Sequence, residues 1–401
     1  MQHTQVIIVG GGMVGLTLAL LLAQHPFDIT LLEAVPLPPL NIHEPLPYRP
    51  SFDARNTALS RRTVATYEAL GIWQALQQYA TPIHHIHISE QGGFGISRLH
   101  AQEEKVESFG QVIENAWLGL VLLAAVKKNS RIRLLDGATV TGLNTTASHA
   151  TVSFNYQNQS QQLSAPLVVA ADGADSLCRQ LLGVMATRHH YQQTALVTTV
   201  QTHLPHQQTA FERFTAQGPL ALLPLPDNRR SMVWTVPTGQ ETTLINCTDE
   251  EFLHQLQHTF GNRAGKFVKT GKRFAYPLVQ VLAAQQALPR VVILGNAAHT
   301  LHPVAGQGFN LCLRDCLVLR DSLVKQQEAQ ADIGDFVHLK AYEQARLIDQ
   351  QRVIRFCDGV VRGFSNQHMG LRLARNLGLL AFDVMPNAKQ TVANYAMGLS
   401  V

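Results

Sequence analysis

Val6-Ile7-Ile8-Val9-Gly10-Gly11-Gly12-Met13-Val14-Gly15-Leu16 is the stretch of sequence that decides the fold. An apolar, β-branched run enters three glycines, and a second apolar run continues to Ala23, which predicts a strand, a tight turn and a helix. Gly10, Gly12 and Gly15 have the G-x-G-x-x-G spacing of dinucleotide sites. One glycine allows the turn, one lets backbone N–H groups reach a pyrophosphate, and one lets the helix pack on the strand. The positive end of the helix then favours the anion.

An acidic residue follows the second predicted strand at the expected distance. The run Asp28–Leu32 predicts a strand that ends at Glu33, and an acid about 20 residues after the glycines accepts a hydrogen bond from a ribose hydroxyl. We therefore expect an adenine dinucleotide to bind at the first motif, by which we mean Gly10, Gly12, Met13 and Gly15 with Glu33. The alternative is a glycine-rich turn in an ordinary α/β protein.

The uncharged run Val6–Ala23 is long enough to resemble a membrane span or a signal sequence. We expect neither, because no positively charged segment precedes the run, no small-residue cleavage site follows it, and the glycines interrupt a continuous helix.

The composition indicates a globular protein with space for two domains. The chain has 401 residues, of which 46% are hydrophobic and 15% charged. A net charge of +4 without a long basic run argues against nucleic acid as a partner. Five cysteines without a C-x-x-C pair indicate a reducing cytoplasm and neither a disulfide framework nor a zinc site, so we expect no metal. Cys312 and Cys316 are interpreted as buried apolar residues on one helix face.

The predicted strands change from a buried parallel type to an antiparallel type along the chain, and then return to the parallel type. Leu167–Ala171 and Arg290–Leu294 are short apolar runs typical of buried parallel strands, whereas Leu220–Leu225 and Ser231–Val236 alternate as in an antiparallel sheet. We therefore expect an α/β fold with a discontinuous Rossmann-like domain, an inserted mixed or antiparallel-sheet substrate domain, and C-terminal helices. The expected bounds are 1–80, 112–182 and 288–358 for the nucleotide domain, 81–111 and 183–287 for the substrate domain, and 359–401 for the C-terminal region.

Two further motifs follow predicted strands. The second motif is Asp172-Gly173 with Ser176 and Arg179, directly after Leu167–Ala171. The third motif runs from Gly295-Asn296 through Pro303 to Gly306-Gln307-Gly308, where a helix is predicted to begin. Ligands of open α/β sheets bind at the carboxyl ends of strands, and glycines at a helix start expose N–H donors. Taken alone, the second motif is a common turn and the third is a structural loop with a helix cap.

In order and separation, the three motifs resemble those of the class A flavoprotein monooxygenases of the para-hydroxybenzoate hydroxylase fold. Within that family the ubiquinone-biosynthesis hydroxylases are the most similar. Phe52-Asp53-Ala54-Arg55 resembles their Asp-x-Arg segment, and Lys272–Leu278 resembles their Tyr-Pro-Leu strand. Ala210–Phe214 resembles the 2-octaprenyl-6-methoxyphenol hydroxylase branch in particular. Asn296 stands where most of the wider family has Asp, a change that this branch tolerates and that keeps a carbonyl acceptor.

The resemblance implies FAD as the cofactor. By position, Gly10, Gly12, Met13, Gly15 and Glu33 would hold its ADP half, Arg55 would lie near the pyrophosphate or the flavin, Asp172 and Gly173 would line the cleft, Asn296 would contact the ribityl chain, and Pro303, Gly306, Gln307 and Gly308 would border the flavin ring. For Arg55 and Arg179 the alternative is an ordinary surface or ion-pair arginine.

The resemblance also implies hydroxylation of a prenylated phenol in ubiquinone biosynthesis, with O₂ and through a flavin C4a-hydroperoxide. NAD(P)H would be a transient co-substrate, because only one dinucleotide motif is present. The sequence names no phenol-activating base. Tyr276 and His302 are candidates, and for His302 and His299 the alternative is a histidine that only bonds backbone. The competing functions are an FAD-dependent reductase or dehydrogenase of related fold and a non-catalytic FAD-bearing scaffold of a biosynthetic complex.

The C-terminal region is rich in leucine and arginine, which leaves several partners open. A peripheral contact with the inner membrane, a place in a biosynthetic complex and a homo-oligomer all fit a cytoplasmic protein with a membrane-borne substrate. Packing of the tail on its own FAD-binding domain is the alternative. The residues concerned are Leu371, Leu373, Leu377, Leu379, Leu380, Phe382 and Met385, with Arg362, Arg372 and Arg375.

Overall fold

The structure, a computed structural model, describes residues 4–52, 55–364, 369–385, 389–390 and 397–398. Asp53 and Ala54 of the expected Asp-x-Arg segment lie outside the described residues. The side chains of Arg362, Leu371 and Arg372 are likewise outside the description, although their backbones belong to helices.

The strands are, in chain order, β1 (Val6–Val9), β2 (Ile29–Glu33), β3 (Asn56–Ser60), β4 (Thr81–Pro82), β5 (His85–Glu90), β6 (Ile96–His100), β7 (Gly110–Glu114), β8 (Ile132–Asp136), β9 (Thr139–Thr145), β10 (Ala150–Tyr156), β11 (Gln159–Ala165), β12 (Leu167–Ala170), β13 (Ala186–Thr202), β14 (Thr209–Phe214), β15 (Pro219–Leu225), β16 (Arg229–Pro237), β17 (Phe267–Thr270), β18 (Phe274–Ala283), β19 (Ala287–Leu288), β20 (Val291–Ile293) and β21 (His299–Thr300).

The helices are α1 (Met13–Ala23), α2 (Arg61–Ala69), α3 (Trp73–Leu76), α4 (Asn115–Lys128), α5 (Leu177–Leu181), α6 (Gln240–Asn246), α7 (Asp249–Phe260), α8 (Gln307–Glu328), α9 (Phe336–Phe364) and α10 (Met369–Val384). Short 3-10 turns cover Gln77–Tyr79, Gly295–Ala297 and Val304–Gly306.

A six-stranded sheet in the order β19-β20-β12-β1-β2-β8 forms the centre of the nucleotide-binding part. All of its pairs are parallel except β19 with β20. Strands β1, β12 and β20 are apolar and fully or almost fully buried, as expected for strands covered on both faces. Because they are parallel neighbours, the segments that follow them meet at one edge of the sheet.

Two different layers cover this sheet. On one face, Leu18 of α1, Leu122 of α4 and Leu319 of α8 belong to the largest apolar cluster. On the other face, Ile7 and Val168 share a cluster with residues of a three-stranded sheet in the order β11-β10-β9. The alternation of Ile7 and Ile8 between the two clusters follows from the period of two in a strand. The expected α/β class with a Rossmann-like domain is confirmed.

A second sheet, with the path β21-β18-β13-β16-β15-β14-β5-β6 and β17 paired to β13, is mainly antiparallel. Its outer face packs under α6 and α7 through a cluster that includes Leu196, Trp234 and Phe252. We call the opposite side the inner face. It is defined by the cross-strand neighbours Ile88, Glu212 and Ala221 in one row, and by Phe214 and Tyr276 in the next.

The inner face is turned toward the third motif. Phe214 belongs to an apolar cluster that also contains Val304, Leu311 of α8 and Val353 of α9. At the far edge of the sheet, β21 extends the third motif as a strand paired to β18. The inner face and the carboxyl edge of the six-stranded sheet are therefore brought together by the third motif.

Helix α10 docks on the β5–β6 hairpin of the second sheet. Arg375 forms an ion pair with Glu90, with 2.5 Å between Nη2 and Oε1. The Asn376 amide donates to the same carboxylate at 2.6 Å and accepts from the Gly95 N–H at 2.6 Å. Helix α10 thus packs on the substrate sheet. Further along the tail, the Met397 carbonyl oxygen accepts from the Arg62 N–H of α2 at 3.3 Å, so this part of the tail contacts the expected FAD-binding domain. No helix in the described ranges combines the length and the apolar character needed to cross a membrane.

Candidate functional site

Gly10 and Gly15 are glycines that the fold itself requires. Gly10 has a φ of 111°, and a Cβ there would lie 2.3 Å from the carbonyl oxygen of Ala171. A Cβ on Gly15 would lie 1.9 Å from the carbonyl oxygen of Gly10. Any larger residue would push β1 away from the second motif or α1 away from the turn. These two glycines therefore set the spacing of the first motif.

Gly12 is a glycine for a different reason. Its φ of −69° is open to any residue, and a Cβ there would meet no atom of the described chain within 4 Å. It caps α1 without a side chain, and the first turn of α1 has no acidic residue. The N–H groups of Gly12 and Met13, at the uncapped start of α1, lie beside this open space, which is a cradle that a Cβ would fill and a pyrophosphate fits.

The Glu33 carboxylate holds the glycine turn in place. It accepts hydrogen bonds from the Gly11 N–H at 2.6 Å and from the Val35 N–H at 2.8 Å. A carboxylate has about four acceptor positions, so two backbone donors leave capacity for a hydroxyl group. The geometry fits the expected acceptor for a ribose hydroxyl and adds a structural role that the sequence did not reveal.

Asp172 in the second motif organises the start of α5. Its two oxygens accept from the Ser176 hydroxyl at 2.6 Å and from the Cys178 N–H at 2.9 Å. Ser176 in turn caps the helix by accepting from the Arg179 N–H at 3.0 Å. Gly173, with a φ of 89°, has no neighbour in the described chain within 4 Å of its virtual Cβ. The motif thus combines an anchored acid with an open backbone position.

Arg179 joins the second motif to the third. Its guanidinium donates to the carbonyl oxygens of Ala297 at 2.7 Å and Ala174 at 2.9 Å, and the residue is 3% exposed. Neither of the alternatives considered for this side chain, a surface arginine or an ion-pair arginine, describes it. The structure corrects that interpretation, because its partners are backbone carbonyls, which sequence patterns do not reveal.

The third motif begins beside the first. Gly295 has a φ of 65°, and its virtual Cβ lies 3.1 Å from a methyl carbon of Val14 in α1. Asn296 is exposed, and its side chain makes no hydrogen bond with the described residues. With Gly10 against Ala171, Arg179 on Ala297 and Gly295 against Val14, the structure brings the three motifs together at one edge of the sheet.

The end of the third motif opens helix α8. Gly306, with a φ of 60°, caps the helix without a side chain, and the first turn has no acidic residue. A Cβ on Gly308 would meet nothing in the described chain within 4 Å. Pro303 is exposed just before this turn, whereas Gln307 is buried. A second helix start therefore offers N–H donors and open space, as the first motif does.

Asn310 fixes this turn, and sequence analysis missed it. Its amide nitrogen donates to the carbonyl oxygens of Ala58 and Gly306, both at 2.9 Å. Its amide oxygen accepts from the Ser60 N–H and the Thr63 hydroxyl, both at 2.8 Å. One buried side chain thus ties α8 to β3 and α2. The available signal was a polar residue one turn into an otherwise apolar helix start.

Arg55 and Tyr276 lie together, although separate roles were expected for them. The Arg55 guanidinium carbon is 5.5 Å from the centroid of the Tyr276 ring. Arg55 is exposed, and Tyr276 is half-buried on the inner face. The pair places a cation and a phenol group where the inner face meets the start of β3, as a cation–π contact.

His302 is buried and neutral. Its Nδ1 accepts from the Val304 N–H at 3.2 Å, so the proton is on Nε2, and its ring packs edge-on against Tyr191 with 5.1 Å between centroids. Burial lowers the pKa of His302 to about 4. An imidazole with this pKa is a poor proton acceptor at neutral pH, so this placement favours the backbone-bonding alternative.

His299 bonds a carboxylate, not the backbone. Its Nε2 lies 2.6 Å from Asp315, which also accepts from Arg346 at 2.5 Å and Gln350 at 3.1 Å. Burial alone would raise the pKa of Asp315, but His299 and Arg346 bring it below its usual value. The network connects β21 to α8 and α9 and so supports the third motif from behind.

The described residues contain no group of three or more metal-ligating side chains.

Comparison with known proteins agrees with this geometry. The FAD binding domain family matches residues 3–357. The chain is 33% identical to the 3-demethoxyubiquinol 3-hydroxylase of Escherichia coli over 401 residues, which covers 99% of each chain. It is also 33% identical to the ubiquinone hydroxylase UbiL of Rhodospirillum rubrum over 393 residues, or 98% of this chain and 89% of that protein.

A solved structure extends the likeness to the fold. The p-nitrophenol 4-monooxygenase PnpA of Pseudomonas putida superposes with a TM-score of 0.78 at 16% identity and covers all of both chains. At that identity the likeness concerns the fold. From the family match over most of its length, and from the motifs that the structure brings together, the chain belongs to the FAD binding domain family of flavoproteins.

Proposed function

We propose that the protein is an FAD-dependent monooxygenase that hydroxylates a prenylated phenol in ubiquinone biosynthesis, with NAD(P)H and O₂ as co-substrates. The observation that carries this proposal is the meeting of three motifs, distant in sequence, at the carboxyl edge of one parallel sheet and opposite an apolar sheet face. Relatives named as ubiquinone hydroxylases, 33% identical over nearly the whole chain, support the substrate class.

The residues of the three motifs fit FAD. Bound FAD would supply the redox chemistry, by accepting a hydride from the nicotinamide and activating O₂. Gly10, Gly12, Met13, Gly15 and Glu33 would hold its ADP half, Arg55, Asp172 and Gly173 would lie along its middle, Asn296 would bond the ribityl chain, and Pro303, Gly306, Gln307 and Gly308 would border the ring.

The protein's own contribution is charge placement and exclusion of water. The uncapped N-termini of α1 and α8 favour negative charge in front of Gly12 and Gly306. The inner face presents Ile88, Phe214 and Ala221, which suit an aromatic ring and keep water away from it. Exclusion of water limits loss of activated oxygen as peroxide.

We also propose the division of the chain into domains. The FAD-binding domain comprises 1–80, 112–182 and 288–358, the substrate domain 81–111 and 183–287, and the C-terminal region 359–401. The two large sheets support this assignment, since β1, β2, β8, β12, β19 and β20 form one, and β5, β6 and β13 to β18 form the other. Strand β21, which lies in the range 288–358, adds to the edge of the second sheet. The small sheet β3-β7-β4 crosses the assigned boundaries, because β7 pairs with both β3 and β4.

The proposal is tested with the purified protein, a prenylated phenol, NAD(P)H and isotopically labelled O₂. We expect a flavin absorption spectrum, phenol-dependent oxidation of NAD(P)H, and one labelled oxygen in the product. Oxidation of NAD(P)H with a product that carries no label would instead favour the reductase alternative. A protein with full flavin content and no turnover on any prenylphenol would favour the scaffold.

We further propose that α10 touches the membrane that carries the prenylated substrate. Its outward residues Leu373, Leu377 and Leu380, spaced four and three apart, are 52%, 54% and 40% exposed, and Met385 is 54% exposed. The inward side holds Arg375, Asn376 and Leu379. An apolar stripe on the solvent side of a docked helix suits the interface of a bilayer, where a polyprenyl chain resides.

Sedimentation with phospholipid vesicles tests this contact. Binding should fall strongly in a variant with Leu373, Leu377 and Leu380 changed to serine. A matched control changes Leu347 and Ile348 of α9, which are 48% and 61% exposed, to serine and should bind like the native protein. Equal vesicle binding by both variants, or a dimer that only the α10 variant loses, would assign the stripe to something other than lipid.

A further inference from the structure

On the inner face of the second sheet, one glutamate, Glu212, lies between apolar residues. Glu212 lies on β14 directly opposite Ile88 of β5 and Ala221 of β15. Directly paired residues of neighbouring strands project to the same side. The carboxyl group therefore shares the face that is turned toward the third motif.

Two apolar clusters flank this position. One row away, Phe214 belongs to the cluster that contains Val304 of the third motif and Leu311 of α8. One row away on the other side, Ala210 belongs to a cluster with Val112 of β7 and Phe382 of α10. Glu212 thus lies on the sheet between the residues that contact the third motif and those that contact β7 and α10.

In the described chain, Glu212 has neither a hydrogen-bond partner nor an ion-pair partner, whereas the neighbouring acids have both. Glu90, two residues beyond Ile88 on the same face, pairs with Arg375, and Glu114 pairs with Arg229. The adjacent Arg213 projects to the outer face, where it bonds Ser89 and the carbonyl oxygen of Thr259. The structure thus supplies no internal reason for a carboxyl group at this point.

The environment of Glu212 gives its carboxyl group a pKa suited to proton exchange. Burial raises the pKa of Glu212 to about 7, without a contribution from a charged neighbour. A carboxyl group with a pKa close to the working pH is the most effective proton acceptor for a general-base step. The residue therefore combines a position on the substrate-facing wall with suitable acid–base character.

We propose that the Glu212 carboxylate accepts the proton of the substrate's phenolic hydroxyl group. The phenol O–H bond breaks, an O–H bond forms on Glu212, and the negative charge moves to the phenolate oxygen without electron transfer. The phenolate ring is richer in electrons than the phenol and reacts faster with an electrophilic oxygen. This assignment rests on the proposed function, which supplies the phenol.

A binding experiment tests the step without turnover. The purified holoenzyme is mixed at pH 8, where the Glu212 carboxyl group is ionised, with a chromogenic phenol whose own pKa lies above this pH and whose phenolate has its own absorption band. We expect the phenolate band to appear with the native protein and with E212D, and to be absent with E212Q. The control E103Q, at an exposed loop residue, should behave like the native protein. A band of equal size in E212Q overturns the proposal.

A kinetic experiment separates this inference from the proposed function. We expect kcat/KM for a prenylphenol to rise with pH through about 7 in the native enzyme. E212Q should lose this limb and about a hundredfold in rate, whereas on the O-methylated substrate, which has no phenolic proton, native enzyme and E212Q should be equal. Equal losses on both substrates would make Glu212 structural. A phenolate band in an enzyme that hydroxylates no prenylphenol would overturn the proposed function and leave the role of Glu212 standing.

Discussion

The Arg179 guanidinium donates a hydrogen bond of 2.7 Å to the carbonyl oxygen of Ala297, a residue 118 positions further along the chain. The same group bonds Ala174, so the turns that follow β12 and β20 are held by one buried cation. Since Asn296 directly precedes Ala297, the position of the residue expected to bond the ribityl chain depends on this arginine.

Replacement of Arg179 by leucine should therefore affect both stability and cofactor retention. Loss of two charged hydrogen bonds to buried carbonyls should lower the free energy of unfolding by about 3 kcal/mol, and the purified variant should contain less FAD. Urea unfolding and the flavin-to-protein absorbance ratio measure the two effects. Arg188→Leu, which removes an exposed ion pair with Asp175, is the control and should change neither. Native FAD content in the Arg179 variant would contradict the role.

Two alanine substitutions in the first motif should affect different properties, the stability of the apoprotein in one case and FAD binding in the other. Gly15→Ala places a methyl group 1.9 Å from the Gly10 carbonyl oxygen, and overpacking of this kind costs about 1–3 kcal/mol of stability. Gly12→Ala meets no protein atom within 4 Å, so the apoprotein should unfold as the native one does. The same methyl group should weaken FAD binding by about tenfold or more, which corresponds to about 1.4 kcal/mol. Calorimetry of the apoprotein and titration with FAD separate the two cases.

Asn310 and Asn296 form a second contrasting pair. Asn310→Ala removes four hydrogen bonds to buried backbone and hydroxyl groups and should destabilise the protein by about 2–4 kcal/mol. Asn296→Ala removes an exposed side chain, and should leave the apoprotein unchanged while weakening FAD binding. Asn296→Asp, which keeps a carbonyl-type acceptor, should retain FAD. If the alanine variant at 296 bound FAD normally, that residue would not belong to the site.

The burial of His302 should make the protein less stable in mild acid. The unfolded chain takes up this proton near pH 6.5 and the folded chain only near pH 4, so between these values each step down in pH favours unfolding. The loss should reach about 3 kcal/mol between pH 7 and pH 4. His302→Asn keeps an acceptor for the Val304 N–H and should show a correspondingly flatter profile in urea unfolding. His43→Asn, in an exposed loop, should leave the profile as it is.

Much of the fold followed from the sequence, because strong local signals coincide with buried parallel strands. The strand, turn and helix at 6–23 and the return to the sheet near Arg290 are both present. The FAD-binding class is confirmed by the family match. The roles of individual residues toward FAD stay predictions.

Long-range contacts were outside the reach of sequence patterns. Arg179 and Asn310 act through backbone carbonyls far away in the chain, and such partners leave no periodic signal. The strand β3 was missed because Asn56–Ser60 is mostly polar and half-buried. Glu212 lies in the segment Ala210–Phe214, which carries a family resemblance, but no separate role was predicted for it. Its surroundings come from three other elements, which the sequence pattern does not bring together.

The order of β1, β12 and β20 in the sheet has a consequence for the translation of this protein. Strand β1 is made first, but β12, which pairs with β1, and β20, which pairs with β12, emerge from the ribosome much later, and Gly306–Gly308 later still. A nascent chain that stops before the start of α8 therefore lacks the Gly306–Gly308 turn that we propose borders the flavin ring. Flavin capture has to await nearly complete translation, and prematurely terminated products should leave the ribosome colourless.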